Sequence, residues 1–269
     1  MWMAGMLLLS SCSVKEDRSG CPCWMTVEMP EQVGHDGGRL DNDDCVGLRL
    51  RVNSDEVEVG YSYQVTEAVK PDVGALEYEV PRGSVGVSVI GMPDRVGHDG
   101  IVGYDGDEIR IPVGEQMDSL YGFFRMFYTR CESVLCDVEL HKEFCTVSFT
   151  LGDEGYSSPY DIEVWGNVAG VSAWDLMPVK GDFRYAPVQK NGVYQVRVPR
   201  QEDNSLEMVM LDDDDIVDSL PLGEYIARSG YDWTAEDLDD VNVALDLEMQ
   251  QVMITVSGWD GVVVMDIVI

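Results

Sequence analysis

The most distinctive reactive residue of this sequence is a cysteine close to its start. The run Leu9-Ser10-Ser11-Cys12 places an aliphatic residue and two small residues before Cys12. This is the pattern of a lipobox, in which a signal peptidase threads an extended backbone past its site and the thiol of the cysteine then carries the lipid. We therefore expect a signal peptide over residues 1–11, lipidation of Cys12 and a tether over residues 12–23.

The leader before Cys12 is short for a secretion signal. Only 11 residues precede the cysteine and none of them is Lys or Arg, whereas a signal peptide normally opens with a basic segment. We expect the sequence to begin inside the true signal peptide. Met1–Leu9 is also shorter than the roughly 20 apolar residues that span a bilayer, so acyl chains on Cys12 would be the anchor.

Six further cysteines remain after Cys12, and their state has three explanations. Export would permit disulfides, buried free thiols are an equal alternative, and zinc is disfavoured because C-x-C and C-x-x-x-x-C are not standard ligand spacings. We predict no metal site. The six are Cys21, Cys23, Cys45, Cys131, Cys136 and Cys145.

Composition argues against several classes of function. The chain carries 18 Lys+Arg against 50 Asp+Glu, a net charge of −32, which repels phosphate backbones and so argues against nucleic acid as a partner. The histidines number three, and no nucleophile elbow, zinc-protease, P-loop or dinucleotide motif occurs. Paired carboxylates carry no information among so many acids. We expect no enzyme activity and no cofactor.

The dominant pattern of the chain is alternation of apolar and polar residues, which is typical of half-buried strands. Many short strands and almost no long helical pattern predict an all-β protein built from sandwiches. The alternating segments are centred on Leu48–Val52, Val57–Val65, Leu76–Val80, Val85–Val89, Cys145–Leu151, Tyr194–Val198, Val241–Leu247, Val252–Val256 and Val262–Ile269.

Turn signals and helix signals complete the predicted organisation. Asn191-Gly192 and Asp260-Gly261 are strong hairpin dipeptides. Short helices are predicted over Gly223–Arg228 and Thr234–Leu238. The strand pattern thins between Gly91 and Glu132, so we predict two domains, an N-terminal β-sandwich over residues 24–132 and a C-terminal β-sandwich over residues 133–269.

The last segment, Val262–Ile269, is apolar on both faces. Asp266 is its only polar residue. Such a strand is either buried on both faces as an ordinary central strand or handed to another subunit by strand addition. The residues of this candidate donor strand are Val262, Val263, Val264, Met265, Ile267, Val268 and Ile269.

Several segments together resemble the FimB/Mfa-type fimbrial anchor lipoproteins of the Bacteroidia. Glu16–Cys23, directly after the lipobox, resembles the start of those proteins, and His141–Phe144 resembles the opening of their second domain. Their C-terminal signature resembles Pro221–Ile226, Gly230–Trp233, Asp240-Val241, Ile254–Val256 and Trp259.

The resemblance implies two tandem transthyretin-like Greek-key β-sandwiches in a lipoprotein of a type V pilus system. Members of that family cap the base of a fimbrium, hold it in the outer membrane and limit its length, and the partner would be a fimbrial shaft pilin. Lys15, Glu16 and Asp17 resemble the export signal that places Bacteroidetes lipoproteins on the outer face of the outer membrane. The candidate donor strand follows from the strand exchange by which such pilins polymerise.

Two other functions share parts of this pattern. A glycan-binding surface lipoprotein would also have a lipobox and β-sandwiches, and a row of exposed Trp or Tyr would favour it. A secreted glycosidase would need two carboxylates roughly 5–10 Å apart in a cleft. An unpaired sheet edge or an extended C-terminal strand would favour the fimbrial function.

Overall fold

A computed structural model provides the structure of the chain. It describes residues 22–29, 44–53, 63–69, 74–96, 107–152, 158–213, 215–246, 251–256 and 261–266. For residues 44–53, 63–69 and 93–96 the description covers the backbone only.

The first half of the chain forms two facing sheets. The smaller sheet has the order β4-β1-β8, with β8 parallel to β1, and the larger has the order β3-β2-β5-β7-β9. The strands are β1 (Cys23–Glu28), β2 (Asp44–Asn53), β3 (Tyr63–Val69), β4 (Ala75–Val80), β5 (Ser84–Val96), β6 (Glu108–Arg110), β7 (Tyr121–Tyr128), β8 (Ser133–Asp137) and β9 (His141–Lys142).

The core of this first sandwich follows from the period-two pattern of its strands. Every second residue of β1 is buried, beginning with Cys23, and these residues face Val85, Val87 and Val89 of β5 across the two sheets. Phe123 of β7 joins the same cluster. Alternating side chains of opposed sheets bury their apolar surface together, which is the main favourable term of such a fold.

The second half forms another pair of sheets. One has the order β13-β10-β16-β17-β18, and the other has the order β12-β11-β14-β15, with β6 of the first half pairing on β11. The elements are β10 (Phe144–Leu151), β11 (Asp161–Ser172), β12 (Pro178–Tyr185), β13 (Val193–Pro199), β14 (Glu207–Asp212), β15 (Asp215–Leu220), α1 (Leu222–Arg228), β16 (Val241–Asp246), β17 (Gln251–Val256) and β18 (Val263–Asp266).

A large apolar cluster fills the second sandwich. It takes Val147 and Phe149 from β10, and Phe149 stacks on Tyr194 of β13 at 5.2 Å between ring centroids. Helix α1 adds Tyr225 and Ile226, both fully buried. These contacts give the second sandwich a core that is independent of the first.

A third cluster joins the two sandwiches. Ile90 and Met92 of β5 share this cluster with Val171 of β11 and with Ile109 of β6, which is paired with Val171. At Gly170 a Cβ would lie 2.2 Å from the Ile109 carbonyl oxygen. Glycine is therefore needed where β6 crosses β11.

The all-β prediction is confirmed, with sandwiches and a short helix at Leu222–Arg228. The second predicted helix is not formed, because Asp232 Oδ1 accepts bonds from both the backbone N–H and the hydroxyl of Thr234 and closes a turn there. The domain limits at residues 24, 132 and 133 stay predictions. The observed pairing places β8, which begins at Ser133, in the first sandwich, and the final residue of the predicted tether, Cys23, begins β1.

Candidate functional site

Two of the segments that carry the family resemblance, His141–Phe144 and Asp240-Val241, meet in a polar cluster at the start of β10. Asp237 Oδ1 accepts a 2.7 Å bond from the Lys142 backbone N–H, and Asp237 Oδ2 lies 3.1 Å from His141 Nδ1. Asp240 Oδ1 accepts bonds from Lys142 Nζ at 2.6 Å and from the Thr146 N–H at 2.7 Å. Asp237 and Asp240 thus connect the start of β10 by hydrogen bonds to the loop that precedes β16.

A buried ion pair lies beside this cluster. Arg200 Nε donates a 3.0 Å bond to Glu143 Oε2, and its guanidinium also donates to the carbonyl oxygens of Trp233 and Ala235. Burial raises the pKa of the Glu143 carboxyl, and the adjacent Arg200 opposes that rise. These hydrogen bonds tie the Gly230–Asp240 loop to Glu143 at the start of β10.

An open groove of about 770 Å³ lies between this cluster and the outer side of β13. Three cations line it, although the chain as a whole is strongly acidic: Lys142, Lys190 and Arg197. Lys142 is only 7% exposed and its ammonium lies 4.9 Å from the centroid of the Phe144 ring. The wall also includes Asp240, which pairs with Lys142, and the apolar Phe144, Val188 and Val193. Its other groups are aromatic, amide and hydroxyl groups, contributed by Tyr121, Tyr185, Gln116, Gln195, Ser119 and Thr146.

The β13 edge of the second sandwich's larger sheet is covered. The Met117 N–H donates to the Arg197 carbonyl oxygen at 3.1 Å, and the Arg197 N–H donates to Gln116 Oε1 at 3.0 Å. Further along the strand, Val193 and Lys190 exchange two backbone hydrogen bonds across a tight turn. Part of the outward backbone of β13 is therefore satisfied within its own chain.

The opposite edge of the same sheet is β18. It pairs antiparallel with β17, with Val252 opposite Met265 and Met253 opposite Val264. Met265 is 8% exposed and belongs to the core, whereas Val262 and Val264 are 57% and 54% exposed. Among the described residues no strand pairs with the far side of β18.

This arrangement corrects one expectation about Val262–Ile269. The described part is neither buried on both faces nor a central strand, because it lies at the end of the sheet and turns valines outward. Its role as a donor strand stays a prediction. Ile267, Val268 and Ile269 lie outside the described residues, as do Cys12, Lys15, Glu16 and Asp17.

The cysteines occur in two kinds of environment. Cys23, Cys131, Cys136 and Cys145 are free thiols, of which only Cys131 is exposed. Burial raises the pKa of Cys136 and of Cys145 to about 12, so neither is a ready nucleophile. The Cys23 thiol donates to the Trp24 carbonyl oxygen at 3.7 Å and the Cys131 thiol to the Ser133 carbonyl oxygen at 3.1 Å. Burial and the nearby Cys131 raise the pKa of the Cys23 thiol.

The described residues lack two further features. They contain no group of three or more His, Cys, Asp or Glu side chains arranged to hold a metal ion. In the same part of the chain no helix has the length and apolar character needed to cross a membrane.

Sequence reasoning missed the groove and the Cys23–Cys131 contact. The groove assembles from four separate segments, and the thiol contact depends on a parallel strand pairing that alternation does not encode. The one available signal was the presence of cysteines at both ends of the predicted N-terminal sandwich.

Comparisons of sequence found no matching family model and no matching curated relative. Comparison of folds found several similar structures. One is the fimbrial anchor protein Mfa2 from Porphyromonas gingivalis, at a TM-score of 0.58 and 12% identity, covering 89% of this chain and 98% of that one. The resemblance predicted from the sequence is thus matched by a similar fold.

Two further structures have the same fold. One is described as a candidate polysaccharide-binding protein from Bacteroides thetaiotaomicron, at a TM-score of 0.59 and 12% identity, covering 91% of this chain and 98% of that one. The other is a candidate adhesin from Bacteroides ovatus, at a TM-score of 0.54 and 13% identity, covering 91% of this chain and 96% of that one.

Proposed function

We propose that this protein is a lipoprotein of the outer membrane, lipidated at Cys12 and exposed on the cell surface, that anchors the base of a fimbrium. In this role it takes part in fimbrial assembly and length control, and its partner is the shaft pilin. No catalysis is part of the proposal.

The observation that carries the proposal is the edge of β18, beyond which the described residues place no strand. Val262 and Val264 turn outward from an edge strand, where they contribute little to their own sandwich. Burying the exposed half of a valine contributes roughly 1 kcal/mol, and a strand added beside β18 or accepted in a neighbour's groove would gain it. Backbone pairing at an edge would supply the remaining affinity.

Two other findings support the same function. The similarity in fold to the fimbrial anchor protein Mfa2 extends over nearly the whole of both chains. The lipobox at Leu9–Cys12 would provide the site of lipid attachment, and the adjacent Lys15-Glu16-Asp17 would provide the signal for export to the cell surface.

Truncation in the native cell tests the proposal. Deleting Asp266–Ile269 leaves Met265 in place, so the protein should stay folded and lipidated while fimbriae are shed into the medium. Fimbriae are measured by immunoblot of cells and of medium, and lipidation by incorporation of a clickable fatty acid. Loss of the protein itself would show that the deleted segment is needed for the core of the second sandwich. The contact with the pilin would then have to lie on another surface.

Two controls accompany the truncation. Cys12→Ala should abolish acyl labelling and release both protein and fimbriae. Protease applied to intact cells should remove the protein, because the proposal places it outside. Label that survives in Cys12→Ala, or protection until lysis, contradicts the proposal.

The groove favours glycan binding as a second candidate function. Aromatic, amide and hydroxyl groups beside cations are the groups that bind sugars carrying a carboxylate. Its volume of about 770 Å³ suits a short oligosaccharide.

Calorimetric titration of the purified protein with uronic-acid oligosaccharides tests this second function. Binding should weaken at least tenfold in Lys190→Gln, since Lys190 is exposed at the groove wall. The matched control is Lys180→Gln, an exposed lysine outside the lining. Equal or undetectable binding in the parent protein, Lys190→Gln and Lys180→Gln would rule out glycan binding as a function of the groove.

A further inference from the structure

The turn that carries Cys131 is held firmly against the first sheet. The Thr129 N–H donates to the Gly83 carbonyl oxygen at 3.0 Å, and Arg82 Nη1 donates to the Arg130 carbonyl oxygen at 2.6 Å. On the other side of Cys131, the Glu132 carbonyl oxygen accepts a 2.9 Å bond from the Trp24 N–H. Cys131 is therefore bracketed by two fixed peptide groups.

The pairing of β1 with β8 places Cys23 beside this turn. The strands run parallel with Trp24 opposite Ser133, so the residue before Trp24 comes alongside the residues before Ser133. The Cys131 thiol donates to the Ser133 carbonyl oxygen at 3.1 Å and is near enough to raise the pKa of the Cys23 thiol. Two cysteines on adjacent, hydrogen-bonded backbones have the kind of arrangement in which a disulfide can form.

The other described cysteines offer no competing partner. Cys136 is in register with Val27, near the far end of β1 from Cys23, and Cys145 belongs to the core of the second sandwich. Cys131 is exposed whereas Cys23 is buried, so an external oxidant can reach only one of the pair directly.

We propose that Cys23 and Cys131 form a disulfide bond in the exported protein. A disulfide donor, such as a thiol–disulfide oxidoreductase of the cell envelope, forms a mixed disulfide with Cys131 and releases one thiol. The Cys23 thiolate attacks the Cys131 sulfur and releases the second thiol, so two protein thiols are oxidised and the donor disulfide is reduced to two thiols. Burial and the adjacent Cys131 raise the pKa of the Cys23 thiol, which assigns the first step to Cys131.

This disulfide adds a structural detail to the proposed anchoring function. Its formation in cells rests on that proposed function. The proposed tether from Cys12 leads to Cys23, the first residue of β1. A mechanical force applied through the membrane anchor would therefore act on β1 first. A Cys23–Cys131 bond transfers that load covalently to the end of the first sandwich. It also closes a loop of about 110 residues, which lowers the entropy of the unfolded chain.

Disulfide mapping of the purified full-length chain tests the bond itself. The reduced protein is equilibrated with glutathione and glutathione disulfide, alkylated, digested with trypsin and analysed by mass spectrometry without reduction. Trypsin leaves Cys21 with Cys23 in one peptide and Cys131 with Cys136 in another. The variants Cys21→Ser and Cys136→Ala are therefore mapped beside the parent.

The expected result is a link between these two peptides that survives in both variants and is lost in Cys23→Ser and in Cys131→Ser. A reducing agent should lower the Tm of the oxidised parent by about 5–10 °C and leave that of Cys131→Ser unchanged. A link that is lost in Cys21→Ser or in Cys136→Ala, or two thiols that stay reduced, overturns the proposal.

Trapping in intact cells separates this proposal from the fimbrial function. Cells are quenched with acid, and free thiols are alkylated with a maleimide of high mass. A bond found in cells whose fimbriae do not depend on this protein supports the disulfide while the anchoring function fails. Reduced Cys23 and Cys131 in cells that do shed fimbriae on truncation overturn the disulfide while the anchoring function stands.

Discussion

The two edges of the larger sheet in the second sandwich are treated in opposite ways. At β13, Gln116 and Met117 cover the strand with two hydrogen bonds to Arg197. At β18, the described residues place no strand beyond the edge, and Val262 and Val264 turn outward. Proteins normally cover or charge an exposed edge, because it is a template for pairing with another chain.

A third edge shows what protection by charge and irregularity looks like. Strand β15 also exposes apolar residues, Ile216 and Val217, but Asp215 and Asp218 flank them and its register with β14 shifts at Leu211. Charges and a bulge discourage further pairing. Strand β18 carries one exposed acid, Asp266, and pairs with β17 in regular register, so of these three edges it is the least protected among the described residues.

The largest effect on stability is expected at Met265, through which β18 packs into the core of its own sandwich. Met265→Asp would bury a carboxylate in the apolar cluster, where Met265 is now 8% exposed, so the free energy of unfolding should fall by about 3 kcal/mol. Urea denaturation of the purified protein measures it. A loss below 0.5 kcal/mol would show that β18 is dispensable for its own sandwich.

A tenfold effect on fimbrial retention, without loss of stability, is expected from the outward face of the same strand. Val262→Lys combined with Val264→Lys leaves the core untouched but sets two charges on the surface proposed to meet the pilin. Cell-bound fimbriae should fall at least tenfold, while urea unfolding changes by less than about 0.5 kcal/mol. Fimbriae retained at the parental level would remove β18 from the contact.

Sequence alone predicted the strands whose alternation is regular. Strands β10, β13 and β17 lie where the pattern placed them, because one face of each is buried and the other is polar or half-exposed. Strand β11 was missed, since Gly166 and Gly170 interrupt its apolar residues for reasons of close packing. Gly170 is needed only because β6 crosses there, and that contact is remote in sequence.

The candidate sites were less accessible to prediction than the strands. The terminal segment attracted attention through its composition, yet its position at an edge depends on the order of the sheet. The Cys23–Cys131 contact depends on the parallel pairing of β1 and β8. Periodicity shows which face of a strand is buried and does not show which strand lies beside it.

A smaller effect is expected from opening the covered edge. Gln116→Ala removes the acceptor of the Arg197 N–H, and the loss of one hydrogen bond at a half-buried site should lower stability by about 1 kcal/mol. Hydrogen exchange followed by mass spectrometry should show faster exchange in the peptide that contains Arg197. Unchanged exchange would mean that other contacts of the segment before β7 cover β13 without this side chain.

The smallest effect is expected at β15, which serves as the matched control for β18. Ile216→Lys and Val217→Lys replace residues that are 57% and 48% exposed, nearly the same exposure as Val262 and Val264, and the strand is again at the end of a sheet. Because β15 is already flanked by aspartates, we expect no change in fimbrial retention and a stability change within about 0.5 kcal/mol. Retention by immunoblot and urea unfolding measure the two quantities. If these variants shed fimbriae as the β18 variants do, the pilin contact is not specific to β18. Exposed apolar surface in general would then explain the attachment better than strand pairing at β18.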